Sequence, residues 1–171
     1  MDWERTQERA VEGKMVKKEV AAQAEKEFKE GMTQYQAGYY ARGLAHFQKA
    51  AELDAQNATY ISYTALLVAL AHKNYEAAEQ LGHAALRMKR NETQMYLNLA
   101  EIYLKAGEKE EAVETLQVGL TYTKQDVRLK RALRKLGVRR PPVIPFLERK
   151  HFLNRYLGRA RHKLLTALGK E

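Results

Sequence analysis

The side chains that most often carry catalysis or bind metals are sparse in this chain and form no catalytic pattern. The five histidines are His46, His72, His83, His151 and His162. None stands with a second histidine or a carboxylate at the spacing of a metal motif such as HExxH. With no cysteine in the chain, thiolate zinc sites, cysteine nucleophiles and disulfides are excluded. No phosphate-binding loop, nucleophile elbow or dinucleotide fingerprint occurs. The sequence therefore predicts a protein that is not an enzyme and binds no cofactor.

Two groups of carboxylates were considered as acid/base pairs. They are the adjacent Glu110 and Glu111, and the run of Glu25, Glu27 and Glu30. Both groups fall in segments with helical periodicity and with lysines between the acids. Such patterns are typical of solvated helix faces, so we expect these carboxylates to face water.

The elements that would position any functional side chain are short amphipathic helices. Residues 96–126 show this best, with one helix from roughly Gln94 to Lys105 and a second from roughly Lys109 to Tyr122. Apolar residues recur at spacings of three and four, which favours helix over strand. Gly107 lies between the two helices and predicts a tight turn. The unit is therefore a helix–turn–helix.

This unit occurs three times in register. Small residues recur 34 or 35 positions apart at three places in the unit, and they predict points where helices cross closely: Gly31, Ala65 and Ala100; Gly43, Ala78 and Ala112; Ala50, Ala85 and Gly119. The middle unit has one extra residue, which we expect in its turn at His72–Asn74.

The repeated motif resembles the tetratricopeptide repeat (TPR) family, whose period is about 34 residues. The resemblance rests on Gly38-Tyr39-Tyr40 with Phe47 and Ala50, on Asn74-Tyr75-Glu76-Ala77-Ala78, and on Leu99-Ala100 with Gly107 and Gly119. It covers residues 24–136. The chain departs from the family pattern at two kinds of position. The proline that often closes each unit is replaced by Ala55, Arg90 and Lys124. The middle unit has Gly82 at the position that Phe47 occupies in the first unit and Leu116 in the third.

The resemblance implies an all-α solenoid of helix–turn–helix units. We assign repeats to about 24–57, 58–92 and 93–126, and a capping helix to 127–136. Val127, Leu129, Leu133 and Leu136 form one apolar face of that helix, as the end of a solenoid requires. Asn57 and Asn91 are each placed to cap the helix that follows.

The resemblance also implies a concave groove, lined by the first helix of each unit, that binds a peptide or a partner helix. By the family pattern the groove residues are Glu25, Phe28, Met32, Tyr35, Gln36, Thr59, Ser62, Leu66, Ala69, Leu70, Gln94, Leu97, Glu101, Leu104 and Lys105. The leading functional hypothesis is thus a protein-interaction adaptor.

One known ligand of this family is disfavoured. Some TPR cochaperones clamp the C-terminal carboxylate of a heat-shock chaperone with lysine, arginine and asparagine side chains. The matching positions here are Phe28, Met32, Thr64, Gln94 and Asn98. None is basic, so a chaperone C-terminus is not the expected partner.

The positive charge of the chain is concentrated at its C-terminal end. Residues 124–171 contain 15 Lys/Arg and three acids, a balance of +12, against −3 for the preceding residues, which together give the net +9. After a strap with Pro141, Pro142 and Pro145, residues 148–168 follow helical spacing. The bases considered for binding are Arg139, Arg140, Arg149, Lys150, Arg155, Arg159, Arg161 and Lys163.

Three interpretations of this basic segment stay open. In the first it docks on its own repeats, in the second it binds a partner protein through its apolar face, and in the third it lies on an anionic membrane or along nucleic acid. The last defines the alternative function, in which the repeats position a basic binding segment at 124–171. The sequence does not indicate an oligomeric state.

Residues 1–23 alternate acids and bases and predict either a solvated helix or a frayed tail. Trp3 is their one large apolar residue, and it could dock in a groove. There is no signal-peptide pattern and no apolar run of membrane-spanning length. We therefore expect a cytoplasmic protein without a transmembrane segment.

Overall fold

The computed structural model describes residues 2–137 and the two positions 157 and 160, with side chains described from residue 14. All regular elements in residues 2–137 are helical, which confirms the predicted all-α fold. They are α1 Asp2–Gln36, α2 Tyr40–Leu53, α3 Ala58–His72, α4 Tyr75–Met88, α5 Thr93–Ala106, α6 Lys109–Tyr122 and α7 Val127–Lys135.

The helices pack in sequential pairs. The pairs α1/α2, α3/α4 and α5/α6 each form one unit, α2 and α4 pack on the first helix of the next unit, and α7 packs on α6. Each helix therefore covers its neighbours in the chain, as in a solenoid. These helices belong to one compact unit that ends at Leu136.

The turns within the units show where the extra residue of the middle unit lies. Gly38 and Gly107 end α1 and α5 in the left-handed region, with φ of 82° and 90°, and Lys73 takes the same role after α3 with φ of 55°. Only two residues separate α3 from α4, as between α5 and α6. The extra residue lies in the predicted stretch, at His72, but not in the turn: α3 has 15 residues and α5 has 14, so the extra residue lengthens the end of α3.

The predicted helix crossings are confirmed. Gly31, Gly43, Gly119 and the small residues in equivalent positions are buried. A methyl group added at Gly31 would lie 2.6 Å from ring atoms of Phe47, and one at Gly119 would lie 2.7 Å from Cγ of Tyr96. The helices therefore approach too closely at these points for a larger side chain.

Helix caps were predicted with mixed success. The Asn57 side chain accepts a hydrogen bond from the Thr59 backbone amide (3.1 Å) and caps α3 as expected. The expectation for Asn91 is wrong, because Glu92 occupies the N-cap position of α5 and makes no side-chain cap. Asn74, which was not predicted, caps α4 through the Ala77 amide at 3.2 Å.

The core runs through the middle of the repeats. Its largest fully buried side chains include Phe47 of α2, Leu67 of α3 and Leu116 of α6. Helices α3 and α5 contribute most, with eight buried residues each, because each is covered by the helices that precede and follow it. Leu129 anchors α7 to this core, and Leu133 and Leu136 pack against it, whereas Val127 of the predicted apolar face is 62% exposed.

The N-terminal segment is helical and continuous with the first repeat. Helix α1 starts at Asp2, so the predicted boundary at residue 23 does not interrupt it. The side chains of residues 14–23 are exposed, including Met15, Val16 and Val20. The Trp3 side chain, the strap at 141–145 and the eight bases from Arg139 to Lys163 lie outside the described residues.

Candidate binding surfaces of the repeats

The first helices of the three units share one surface, which we call the inner groove. It is formed by α1 from residue 24, by α3 and by α5. The ring of Tyr35 on α1 lies 6.4 Å from that of Tyr63 on α3 in an edge-on arrangement. Asn98 on α5 reaches Ser62 on α3. The groove is thus continuous across the three units.

Three predicted groove residues are buried rather than available to a ligand. Ser62, Leu66 and Ala69 of α3 are each no more than 2% exposed. Leu66 and Ala69 belong to the main hydrophobic core. They pack beneath the floor of the groove. The expectation that they contact a partner directly is therefore wrong.

The other predicted groove residues retain solvent-accessible surface. Leu104 is 40% exposed, and Lys105 beside it is also exposed. Partly exposed side chains are Phe28, Met32, Tyr35, Thr59, Leu70, Gln94, Leu97 and Glu101, while Glu25 and Gln36 are exposed. The accessible groove is therefore mainly apolar, with a few polar groups among the leucines and aromatic rings.

Phe28 ties the first unit to the second. Its ring centroid lies 5.2 Å from Phe47, 4.9 Å from Tyr60 and 5.3 Å from Tyr63. Aromatic pairs at such distances stabilise beyond the area they bury. Phe28 thus packs in the core on one side and meets the groove on the other.

A short polar network crosses the groove floor. The Gln94 side-chain amide donates to Oδ1 of Asn98 at 2.9 Å, and Nδ2 of Asn98 donates to Oγ of Ser62 at 3.0 Å. Buried amides need such partners to offset the loss of water. This network fixes α5 against α3 at a specific register.

Glu101 brings negative charge to the groove. Partial burial raises the pKa of its carboxyl, and Lys105, one turn further along α5, opposes that rise. Burial raises the pKa of Tyr35 to about 12, and the nearby charge of Glu101 adds to this effect.

The positions that would form a carboxylate clamp do not form one. Thr64 is buried, and its hydroxyl donates to the Tyr60 carbonyl of its own helix at 2.9 Å. Asn98 is engaged with Ser62 and Gln94. Phe28 and Met32 pack against the core. The groove therefore offers no cationic group at these five positions.

One of the helix carboxylates expected to face water is buried instead. Glu27 is 7% exposed and accepts contacts from Nζ of Lys49 at 2.5 Å and Nδ1 of His46 at 2.8 Å. Hydrogen bonds from Lys49 and then His46 lower the pKa of Glu27 to about 2. The sequence did contain a signal for this burial. Glu27 is three residues after Ala24 and four before Gly31, so it lies on the face of α1 that packs against α2.

A second surface, which we call the outer cleft, lies between α4 and α6 over α5. It has a volume of about 490 Å³ and is lined by His83, Leu86, Arg87, Arg90, Tyr96, Leu99, Tyr103, Glu111, Glu114, Thr115, Val118 and Tyr122. Sequence analysis missed it. The sequence feature that could have indicated this cleft is Gly82. Leu99 packs over it so closely that an added Cβ would lie 2.9 Å from Cδ1 of Leu99.

A hydrogen-bond chain lies at one end of the outer cleft. The Tyr103 hydroxyl donates to Oε1 of Glu79 at 2.7 Å, and Nε2 of His83 lies 3.0 Å from the same hydroxyl. Because the hydroxyl proton is given to Glu79, Nε2 of His83 must donate to Tyr103. Burial, then the bond to Glu79, raises the pKa of Tyr103.

Helix α7 presents a basic outer face. Asp126 caps it through the Arg128 amide at 2.7 Å and also accepts from the Thr93 hydroxyl at 2.7 Å. These bonds, led by that from Thr93, lower the pKa of Asp126 to about 2. The exposed bases of the helix are Arg128, Lys130, Arg131, Arg134 and Lys135.

The described part of the chain offers no other site of known chemistry. Among the side chains of residues 14–137, no three histidines or carboxylates are grouped to hold a metal ion. No helix in the same range is long and apolar enough to cross a membrane.

The repeats match a known protein family over part of the chain. Residues 69–136 match the family model described as tetratricopeptide repeat. Residues 69–136 therefore contain tetratricopeptide repeats. This match covers the end of α3 through α7, and the TPR-like motifs of the first unit extend the pattern to residue 24. A comparison with curated protein sequences gave no significant match.

Solved structures share the TPR fold over about two thirds of the chain. The Arabidopsis OM64 TPR domain is 20% identical, with a TM-score of 0.58, covering 69% of this chain and 97% of that one. The second TPR domain of human RPAP3, solved with the HSP70 peptide SGPTIEEVD, is 19% identical with a TM-score of 0.57, covering 69% and 98%.

A bacterial protein is equally similar. The Yersinia enterocolitica type III secretion translocator chaperone SycD is 20% identical, with a TM-score of 0.57, covering 68% of this chain and 87% of that one. At this level of identity the likeness concerns the fold. The function must come from the residues of this TPR domain themselves.

Proposed function

We propose that this TPR protein is a non-enzymatic adaptor that binds a peptide or a partner helix in its inner groove. The observation that carries the proposal is the accessible apolar surface of the groove. Leu104 is 40% exposed, and Leu70 and Leu97 are partly exposed on the same surface. Exposed apolar side chains that share one surface are a common mark of a protein-binding site.

The floor of the groove supports this function by being rigid. The buried Leu66 and Ala69 and the Ser62–Asn98 bond hold α3 against α5. A preformed surface binds a partner at a lower entropic cost than one that must be ordered. The RPAP3 domain with its HSP70 peptide shows that this fold can bind a peptide.

The partner differs from the acidic C-terminal peptide of a heat-shock chaperone. The five clamp positions carry no base, and Glu101 adds a negative charge to the groove. A carboxylate-bearing ligand would meet repulsion there rather than charge-assisted hydrogen bonds.

The test is a selection of peptides from a random displayed library against the full-length protein. Selected peptides are then synthesised, and their affinities are measured with the double variant Leu97→Gln/Leu104→Gln. The matched control is Val118→Gln, because Val118 is 42% exposed but lies in the outer cleft. Unchanged circular dichroism and denaturant midpoints ensure that all proteins are folded.

We expect the groove variant to lose at least tenfold in affinity, since several exposed apolar contacts are removed, and the control to bind like the wild type. If Val118→Gln weakens binding and the groove variant does not, the outer cleft is the binding surface. The adaptor would then use a different site from the one proposed.

A second candidate function rests on the exposed bases of α7. In this alternative the basic segment 124–171, which includes Arg139, Arg140, Arg149, Lys150, Arg155, Arg159, Arg161 and Lys163, binds an anionic surface or nucleic acid. Contacts with phosphates weaken steeply with salt. Binding of the full chain to anionic vesicles and to duplex DNA at about 50 and 200 mM salt tests it, with neutral vesicles as the control. Salt-insensitive or absent binding would reject it.

A further inference from the structure

Helix α1 extends far beyond the unit to which it belongs. It has 35 residues, whereas no other helix in residues 2–137 has more than 15. The first buried side chain along the described part of α1 is Ala24, which packs with Ala50 and Tyr60. Residues 2–23, which we call the N-terminal extension, precede this contact and form about 33 Å of helix at 1.5 Å per residue. Residues 14–23 are all exposed, so the repeat does not cover this part of the extension.

Apolar side chains are exposed on the extension. Met15 is 59% exposed, Val16 is 53% exposed and Val20 is 37% exposed. Val20 and Val16 precede the buried Ala24 by four and eight residues, so they continue the face of α1 that packs against α2. Because a helix in a protein is stabilised mainly by the packing of one face, we expect a second helix to cover this continuation.

Lysines stand among these apolar residues without acids to pair with along the helix. Lys14, Lys17 and Lys18 are exposed, and no aspartate or glutamate stands three or four residues from any of them. Lys14 and Lys18 are instead four residues apart, a spacing at which like charges destabilise a helix. An acidic segment on a second helix would offset this repulsion.

Such an acidic segment occurs in the extension itself. Residues 2–13 contain four acids and two arginines, a balance of −2, and residues 14–23 contain three lysines and one glutamate, a balance of +2. Two extensions that lie antiparallel bring the acidic half of each against the basic half of the other. A parallel pair would bring like halves together, so charge complementarity favours the antiparallel arrangement.

An anionic membrane fits the same surface less well. Lysines beside exposed apolar side chains are a common pattern in helices that lie on membranes. The acidic half of the extension, however, would be repelled by anionic lipid headgroups. A second copy of the extension compensates the charges of both halves at once.

We propose that the N-terminal extension binds the same segment of a second copy of this chain, in antiparallel orientation. The contact covers the exposed apolar surface of residues 14–20 and sets the oppositely charged halves against each other. The second extension thus covers the face of α1 that α2 covers within the repeat. This inference does not depend on the adaptor function proposed for the inner groove.

The first measurement is the mass of the full-length protein by sedimentation equilibrium, at concentrations up to about 1 mM. A dimer has twice the 19.7 kDa of one chain. The apolar variant is Met15→Gln/Val16→Gln/Val20→Gln. It should keep the helix, because glutamine is a better helix former than valine.

A matched control for the apolar variant removes one methionine and two valines from other helices. It is Met88→Gln/Val118→Gln/Val127→Gln. These three residues are at least 42% exposed and lie on α4, α6 and α7, so the control tests whether any loss of exposed apolar surface has the same effect.

Charge reversal distinguishes an antiparallel pair from a parallel one. The basic-half variant is Lys14→Glu/Lys17→Glu/Lys18→Glu. The acidic-half variant is Glu4→Lys/Glu8→Lys/Glu12→Lys. The swapped variant carries all six substitutions. In an antiparallel pair each half variant sets like charges against each other, whereas the swapped variant restores opposite charges.

We expect the wild type to dimerise, and the apolar variant to raise the dissociation constant at least tenfold because apolar contact is lost. The control should match the wild type. Each half variant should weaken the dimer by about tenfold. The swapped variant, and an equimolar mixture of the two half variants, should dimerise like the wild type. Circular dichroism checks that every variant is still helical.

A wild type that stays monomeric up to about 1 mM would overturn this inference, as would a dimer that the apolar and half variants leave unchanged. Recovery of the dimer in the mixture but not in the swapped variant would reject the antiparallel arrangement. If a monomeric wild type binds vesicles of phosphatidylserine and phosphatidylcholine and the basic-half variant does not, the surface belongs to a membrane contact and the second copy is rejected.

Discussion

Nδ2 of Asn98 on α5 donates a hydrogen bond of 3.0 Å to Oγ of Ser62 on α3, and both side chains are only 2% exposed. This bond joins the first helices of two units directly beneath the groove. Because buried polar groups are costly when unpaired, the pair favours one register of α5 against α3. The position of the groove residues on α5, including Glu101, follows from that register.

Replacing Asn98 with alanine should destabilise the domain by about 1–3 kcal/mol, because the Ser62 hydroxyl loses its partner inside the protein. The replacement also leaves a small cavity. Urea unfolding of the variant against the wild type measures the change. Adding Ser62→Ala should recover part of the loss, since the unpaired hydroxyl is removed. Strict additivity of the two effects would show that the bond contributes nothing.

Close packing at Gly119 gives a second prediction. A Cβ there would lie 2.7 Å from Cγ of Tyr96 and 2.9 Å from Cδ1 of Leu129, so Gly119→Ala should cost about 1–3 kcal/mol by overpacking. This cost should exceed the gain of about 1 kcal/mol in helix propensity. The measurement is the denaturant midpoint.

Gly82→Ala is the matched control for Gly119→Ala. The added Cβ would meet Cδ1 of Leu99 at 2.9 Å, which is the end of a flexible side chain rather than a ring. The effect at Gly82 should therefore be smaller. Equal effects at both positions would contradict the role of the Tyr96 ring.

The sequence predicted the helices and their repeat because both depend on local periodicity. The second helix of unit three was predicted as Lys109 to Tyr122, which is what the structure shows. The same local signal predicts small residues at crossings, such as Ala112, which is fully buried. A period of about 34 residues with small residues in phase is therefore enough to derive this fold.

Tertiary contacts between units could not be derived in this way. The Ser62–Asn98 bond joins residues 36 positions apart, and Glu27 meets His46 across 19 positions. Periodicity assigns a face to each residue but not its partner on another helix. For the same reason Leu66 and Ala69 were expected on the groove surface, whereas the neighbouring helices bury them. The outer cleft combines side chains of α4, α5 and α6, and apart from Gly82 no local pattern indicates that space remains between them.

The buried Glu27 predicts a specific pH dependence. Its pKa is lowered to about 2 by Lys49 and His46, below its ordinary value, so the folded state favours the charged form. This stabilisation is complete above the ordinary pKa of 4.5 and is lost as the pH falls toward 2. Glu27→Gln should therefore be less stable than the wild type at pH 7, and the gap should close under acid.

Urea midpoints from pH 7 down to pH 2.5 measure this gap. Glu30→Gln is the control, because Glu30 is an exposed carboxylate on the same helix. The stability of the control should follow the wild type closely. A Glu27→Gln gap that stays constant down to pH 2.5 would mean that the contacts of Glu27 with Lys49 and His46 do not stabilise the fold.

Glu101 predicts the opposite behaviour. Burial raises its pKa above the ordinary value of 4.5, so the folded state binds the proton more tightly than the unfolded state does. The wild type therefore loses stability as the pH rises through this range. Glu101→Gln removes the weakly compensated carboxylate and should raise the denaturant midpoint at pH 7, with no difference from the wild type below pH 4.

Glu110→Gln, on the exposed face of α6, should change stability by less than about 0.5 kcal/mol. Greater stability combined with weaker peptide binding in Glu101→Gln would show that the carboxylate is retained for recognition at the expense of the fold, whereas a loss of stability at pH 7 would show that Glu101 already has a stabilising partner within the chain.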